Sequence, residues 1–171
     1  MNQEEQGKLI VVVFGLPGTG KSTFARLFSR RLGFTHLNTD VIRHLLHARQ
    51  KYLDHEREHI YDQMMLKSEE VLSKNENLVL DGTFYGKSQR LKVQNIASRN
   101  NAQVKWIQIT ANETTVEERM KKKRKFSEAD FGVYEIVRAQ FEPFEEVHLS
   151  LPSDQMTIDE MIEQAIQFVR A

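Results

Sequence analysis

The sequence predicts an α/β domain of three layers, a five-stranded parallel sheet with helices on both faces. Three observations carry that expectation. Residues 9–14 (LIVVVF) form a short, β-branched apolar run that stops at Gly15, the pattern of a strand buried on both faces. Further apolar runs of strand length then alternate with segments of helical period along the chain. The length of 171 residues suits one domain, expected over 1–171 without a linker or repeat.

After the first strand, Phe24, Ala25, Leu27 and Phe28 fall at helical spacing within 22–32, and Gly33 suits a C-cap. A second strand is expected over 34–39 and a short helix over 41–48. A longer helix follows over 56–73, with Ile60, Met64, Val71 and Leu72 as its apolar positions. Residues 77–80 read as the third strand, ending at Asp81-Gly82. A helix over 87–97 and a fourth strand over 104–109 come next. Thr115-x-x-Glu118 has the form of a capping box, opening a helix that runs into basic residues 119–125. Ser127-x-x-Asp130 starts another helix, which Pro143 halts after Phe141. A fifth strand is expected over 147–151, and Thr157-x-x-Glu160 caps the last helix.

Composition narrows the function classes. Hydrophobic residues at 40% and charged residues at 28% fit a soluble globular fold. The absence of cysteine excludes disulfides, thiolate zinc sites and a cysteine nucleophile. Lys plus Arg equals Asp plus Glu at 24 each, so any charge-driven nucleic-acid binding has to be local. The longest apolar run, residues 9–14, is far short of the roughly 20 residues that cross a bilayer. Residues 1–6 lack the basic and apolar regions of a secretory signal, so a cytoplasmic protein without a membrane partner is expected.

Gly15-Leu16-Pro17-Gly18-Thr19-Gly20-Lys21-Ser22, followed by Thr23, satisfies G-x-x-x-x-G-K-[ST] between a predicted strand and a predicted helix. Glycines let successive backbone N–H groups wrap a polyphosphate, and the helix adds its positive end. Lys21 would reach the β- and γ-phosphates, and the Ser22 hydroxyl would ligate Mg²⁺. Leu78-Val79-Leu80-Asp81 has the Walker B form, an apolar strand ending in a carboxylate on the same rim of the sheet. Asp81 could hold the metal or position a substrate-side arginine; a plain turn aspartate before Gly82 is the structural alternative.

No N-K-x-D follows the fourth strand, so a switch-type GTPase is not indicated. A ring ATPase would need a second helical domain, for which the chain has no room. A compact kinase remains, and two further features support it. Asn38-Thr39-Asp40-Val41-Ile42-Arg43 puts Asp40 at the end of the second strand, where a carboxylate could orient and deprotonate an attacking hydroxyl. Asp40 could equally serve as the helix N-cap. Arg43, one turn along, could clamp an anionic group of the acceptor. The second feature is the run 119–125 (RMKKKRK), six positive charges in seven residues. Such crowding is costly without an anion nearby. A basic lid over about 119–142 would close on the phosphates, with Arg119 and Arg124 as candidates for charge stabilisation; a solvated helix face or a basic localisation tag are the alternatives.

GLPGTGKST, TDVIR, VLDGTF, the basic segment, SEAD and FEPFE together resemble the predicted P-loop kinases of the AAA-family ATP-binding type. These are relatives of polynucleotide 5′-hydroxyl kinases and zeta-toxin-like kinases, and the resemblance spans about 9–169. It implies a P-loop NTPase fold similar to adenylate kinase, with ATP and Mg²⁺ at Lys21 and Ser22. It further implies Asp40 as general base, Arg43 on the acceptor and a lid arginine at the transferred phosphoryl. Adenylylsulfate kinases carry a similar Asp-x-x-Arg, though the flanking residues here fit them less well. The expected activity is phosphoryl transfer from ATP to a hydroxyl of a small-molecule or nucleotide-like acceptor. A polynucleotide 5′ end as acceptor, or an ATP-binding sensor without transfer, are the alternatives.

His55-Glu56-Arg57-Glu58-His59 matches the H-E-x-x-H zinc pattern, but its charged flanks read better as a solvated helix. Lys87 and Arg90 likewise read as solvent-facing helix residues. Met64, Met65, Trp106 and the phenylalanines read as packing.

Overall fold

Every position from Ile10 to Phe14 is buried, which places that strand at the centre of the sheet. The computed structural model describes residues 7–46, 54–122 and 130–171. In it, β1 (Lys8–Phe14) lies between β3 (Leu78–Asp81) and β4 (Ala102–Thr110), with β2 (Thr35–Asn38) and β5 (His148–Pro152) at the edges. All pairings are parallel, as expected. The chain first runs from β1 out to the edge strand β2, returns to place β3 between them, and then crosses to β4 on the other side. That reversal opens a crevice above the carboxyl ends of β1 and β3, where open α/β sheets bind ligands.

Alternation along β1 feeds two cores. Val11 and Val13 pack with Phe24 and Phe28 of α1 (Lys21–Leu32) and with Met161 and Ile166 of α7 (Ile158–Arg170). Ile10, Val12 and Phe14 point the other way. They meet Met64 and Leu72 of α3 (Asp54–Ser73) and Val93 of α4 (Lys87–Arg99). Each such side chain contributes about 1.5–3 kcal/mol on burial, so the strand stabilises both layers at once. A charged residue at Val12 would be buried without a counter-ion and would break that arrangement. Three shorter helices complete the chain: α2 (Thr39–Leu45), α5 (Glu113–Met120) and α6 (Phe131–Gln140). Among the described residues, no helix is long and apolar enough to cross a membrane.

Several element ends differ from expectation, each for a local reason. Helix α2 begins at Thr39 rather than 41, because the Asn38 side chain accepts from the Asp40 and Val41 amides. Asp40 therefore sits inside the first turn and is not the cap. Helix α5 starts at Glu113, capped by Asn112, which accepts from the Thr115 amide; the expected Thr115–Glu118 box does not form. Strand β4 starts two residues early because its pairing with β1 extends to Lys8 opposite Ala102. Strand β5 starts at His148, leaving Val147 exposed. Asp130 caps α6 through the Val133 amide, while the expected Ser127 lies outside the described residues. The α7 box of Thr157 and Glu160 forms as expected, and Gly33 ends α1 in the left-handed region.

The turn after β1 depends on a close backbone approach. Gly15 has φ 142°, and a Cβ there would lie 2.4 Å from the Ile109 carbonyl oxygen of β4. Neither the dihedral nor the contact admits a side chain. Gly15→Ala is expected to lower unfolding free energy by about 2 kcal/mol or more. Urea denaturation of the two proteins checks this, and an unchanged midpoint would contradict the close packing.

Candidate active site

The glycine-rich bend curls between β1 and α1. Its Leu16 carbonyl accepts from Thr19 Oγ1 (2.9 Å) and from Lys21 Nζ (2.8 Å), so the lysine folds back over its own loop. Gly18 has φ 79°, and a Cβ there would come within 2.8 Å of Val116 on α5. Pro17, Gly18, Gly20, Lys21, Ser22 and Thr23 line a cavity of about 1120 Å³. Gly15, Leu16 and Thr19 shape the bend behind them. The first turn of α1 carries no acidic residue, so its exposed N–H groups and positive end favour an anion at the loop.

Beside the loop lies a buried polar cluster. Asp81, 1% exposed, ends β3 directly opposite Asn38 of β2. Its Oδ2 accepts from Asn38 Nδ2 (2.5 Å) and lies 3.2 Å from His36 Nε2. Asn38 Nδ2 also donates to Ser22 Oγ (3.0 Å), so Ser22 and Asp81 are joined through one amide. Asp81 Oδ1 is buried and has no hydrogen-bond partner among the described residues. An orphaned carboxylate oxygen next to a hydroxyl is a hard-oxygen donor set, and it fits Mg²⁺. No group of three His, Cys, Asp or Glu side chains suited to a metal occurs among the described residues. A cation held by one or two protein oxygens plus phosphates needs none.

The first turn of α2 also lines the cavity. Arg43 donates to Asp40 Oδ1 in a half-buried i,i+3 pair, and both residues line the cavity. Two arginines that the sequence reading discounted are buried nearby, and of these Arg57 lines the cavity. Arg57 is not part of a solvated helix face: it is 7% exposed, donates to Gln140 Oε1 (2.9 Å) and sits 5.1 Å over the Tyr85 ring. Its spacing with Ile60, Tyr61 and Met64 was the available signal, since all four share the buried face of α3. Arg90 is also buried, contrary to its expected solvent-facing role. Its guanidinium donates to the carbonyls of Phe84, Tyr85, Glu142 and Pro143 at 2.7–3.0 Å, and it packs over the Phe141 and Phe144 rings. Burial pulls its pKa below the ordinary value. Lys87 is exposed, as expected.

Arg90 thereby ties the turn after Asp81 to the segment after α6. Within that turn Phe84 is fully buried with φ 46°, a left-handed conformation unusual for a bulky residue. Tyr61 holds it there: the Phe84 amide donates to the Tyr61 hydroxyl (3.0 Å), which lies 3.3 Å from Thr83 Oγ1.

From the basic segment, Arg119 reaches the loop. Its Nη1 donates to the Thr19 carbonyl (3.1 Å) and Ser153 Oγ (2.9 Å), and its Nη2 to the Ser153 carbonyl (3.3 Å). The guanidinium thus joins the glycine-rich bend to the turn after β5. No sequence signal marked Ser153, which comes close only through the fold. Arg124 lies outside the described residues. Val133 and Val137 of α6 add an apolar flank to the cavity.

Burial pushes the Tyr61 phenol up to about 12 from its ordinary 10. The unfolded chain ionises above pH 10 while the folded chain resists, so this contribution is present below pH 10 and lost as pH rises towards 12. The loss should approach about 2–3 kcal/mol. Unfolding free energies at pH 9 and 11.5 should show a steeper decline in wild type than in Tyr61→Phe; equal slopes would contradict the assignment.

Comparison with known proteins agrees with this geometry. The pattern of the AAA domain family matches residues 10–144. No curated protein sequence matches the chain significantly. Among solved structures, the Mycobacterium tuberculosis APS kinase CysC, in complex with AMPPNP and APS, is similar at TM-score 0.74 and 20% identity. That likeness covers 96% of this chain and 99% of that one. A sugar kinase from Janibacter sp. HTCC2649 has TM-score 0.74 and 15% identity, covering 96% and 95%. A gluconokinase from Sinorhizobium meliloti 1021 has TM-score 0.71 and 16% identity, covering 96% and 91%. These likenesses establish the fold, and the five-stranded parallel sheet with helices on both faces is that of P-loop NTPases. With the glycine-rich loop, the Walker-type aspartate and a pattern match over most of its length, the chain belongs to the AAA domain family.

Proposed function

We propose that this protein is an ATP- and Mg²⁺-dependent cytoplasmic kinase that phosphorylates a hydroxyl of a small-molecule or nucleotide-like acceptor. One observation carries the reading. The lining of one cavity includes Lys21 and Ser22 of the glycine-rich loop together with the Asp40–Arg43 pair. Phosphoryl transfer needs both sets of groups in one cavity, since the protein's task is to position two substrates and stabilise charge.

In this reading the loop N–H groups and Lys21 hold the triphosphate, Lys21 exchanging the Leu16 carbonyl for a phosphate oxygen. Ser22 and Asp81 would hold Mg²⁺, whose charge would offset that of the phosphates when bound. Asp40 accepts the proton of the acceptor hydroxyl as that oxygen bonds to the γ-phosphorus. The bond from the γ-phosphorus to the β–γ bridging oxygen breaks, and ADP leaves. Arg43 turns from Asp40 to an anionic group of the acceptor, and Arg119 keeps the lid-side helix against the loop. The cavity also offers Tyr85 and the apolar Val133 and Val137, a wall suited to an acceptor with a planar or apolar part. The nucleotide analogue in the APS kinase structure supports ATP as donor.

A screen with γ-labelled ATP against hydroxyl-bearing metabolites, nucleotides and 5′-hydroxyl oligonucleotides tests the reading. Label on a small molecule supports it. Label on oligonucleotide ends alone would move the acceptor to nucleic acid, and slow hydrolysis with no labelled acceptor would leave a nucleotide-binding sensor. For an acceptor that is labelled, Lys21→Ala should abolish transfer. Asp40→Asn should lower kcat by about 10²–10⁴-fold while calorimetric ATP affinity stays near wild type. Full turnover by Asp40→Asn would remove the base assignment.

A further inference from the structure

Asn38 is both the last residue of β2 and the N-cap of α2. Its Oδ1 accepts from the amides of Asp40 (2.8 Å) and Val41 (3.0 Å). Its Nδ2 donates to Ser22 Oγ and Asp81 Oδ2. A primary amide has two acceptor sites and two donors, so its whole hydrogen-bonding capacity is used. The orientation follows from chemistry. Turned over, the amide would set its oxygen against a carboxylate and its NH₂ against two N–H donors. At 9% exposure, water competes little for these bonds.

The two ends of this amide serve different halves of the cavity. Ser22 and Asp81 are the oxygens that fit a metal. The Asp40 and Val41 amides belong to the turn that aims Asp40 and Arg43. We propose that Asn38 is a positioning residue that couples the metal side to the acceptor side. Whatever restrains Ser22 and Asp81 restrains the first turn of α2, and with it the Asp40 carboxylate. The proposal rests on the kinase reading and adds to it a mechanical link between donor binding and acceptor alignment. Partners that orient metal ligands typically matter by about 10–100-fold in affinity or activity.

Two substitutions separate coupling from capping. Asn38→Ser and Asn38→Thr both keep a favoured N-cap oxygen, but neither supplies the N–H pair that spans Ser22 and Asp81. Amide hydrogen exchange at Asp40 and Val41, with and without Mg²⁺ and AMPPNP, reads the link in the full chain; calorimetry reports binding in parallel. In wild type the ligand should slow exchange at both amides by about tenfold. In the variants the melting temperature should stay within about 3 °C. Mg²⁺-dependent AMPPNP affinity should fall by about tenfold, and the ligand-induced slowing should shrink to less than about twofold. Wild-type slowing in either folded variant overturns the proposal. So does a wild-type protein that binds the ligand while these amides do not respond, an arm that needs no variant to fold. If wild type gives no heat with Mg²⁺ and AMPPNP, the kinase reading itself fails and takes the coupling with it.

Discussion

The parallel register of β1, β2 and β3 is the constraint on which the site depends. Val13 pairs with Asp81, and Asp81 pairs with Asn38, so one rung of the sheet ends at the glycine-rich bend, the buried carboxylate and the capping amide together. Side chains alternate along a strand, so a slip of one residue would carry Asp81 to the opposite face. The apolar side chains of β1 enforce the register, because the same slip would exchange the sets packed against the two helical layers. Core packing and site geometry are thus one requirement.

The polar cluster at that rim is under-satisfied. Burying a carboxylate is unfavourable unless its lone pairs are used. Asn38 and His36 occupy Asp81 Oδ2, and Oδ1 is left without a protein partner among the described residues. A native fold keeps such a deficit where something else completes it, and a cation beside Ser22 is the chemical complement.

The part of the cavity proposed to take the acceptor is stiffened from behind. Arg90 gathers four carbonyls from two chain segments, while Tyr61 pins the left-handed Phe84 amide. Together they hold Thr83 and Tyr85, which line the cavity, on a turn that would otherwise be free to move. Arg57 adds a link from α3 to the end of α6 through Gln140. Rigid support of this kind is what precise placement of an acceptor requires.

The sequence by itself determined the order of strands and helices, the glycine-rich bend, the Walker-type aspartate and the D-x-x-R turn. Each is a local signal, written in apolar period or in residues only a few positions apart. Helix starts were less legible where several cap residues stood close together: Asn38 beside Asp40, and Asn112 beside Thr115. The burial of Arg57 and Arg90, the reach of Arg119 to Ser153 and the Asn38 bonds to Ser22 and Asp81 were decided by tertiary structure alone. Each has partners from 16 to 100 positions away, although Arg90 also bonds the nearby Phe84 and Tyr85 carbonyls. A charged side chain carries no local mark of whether the fold will bring carbonyls or water to it.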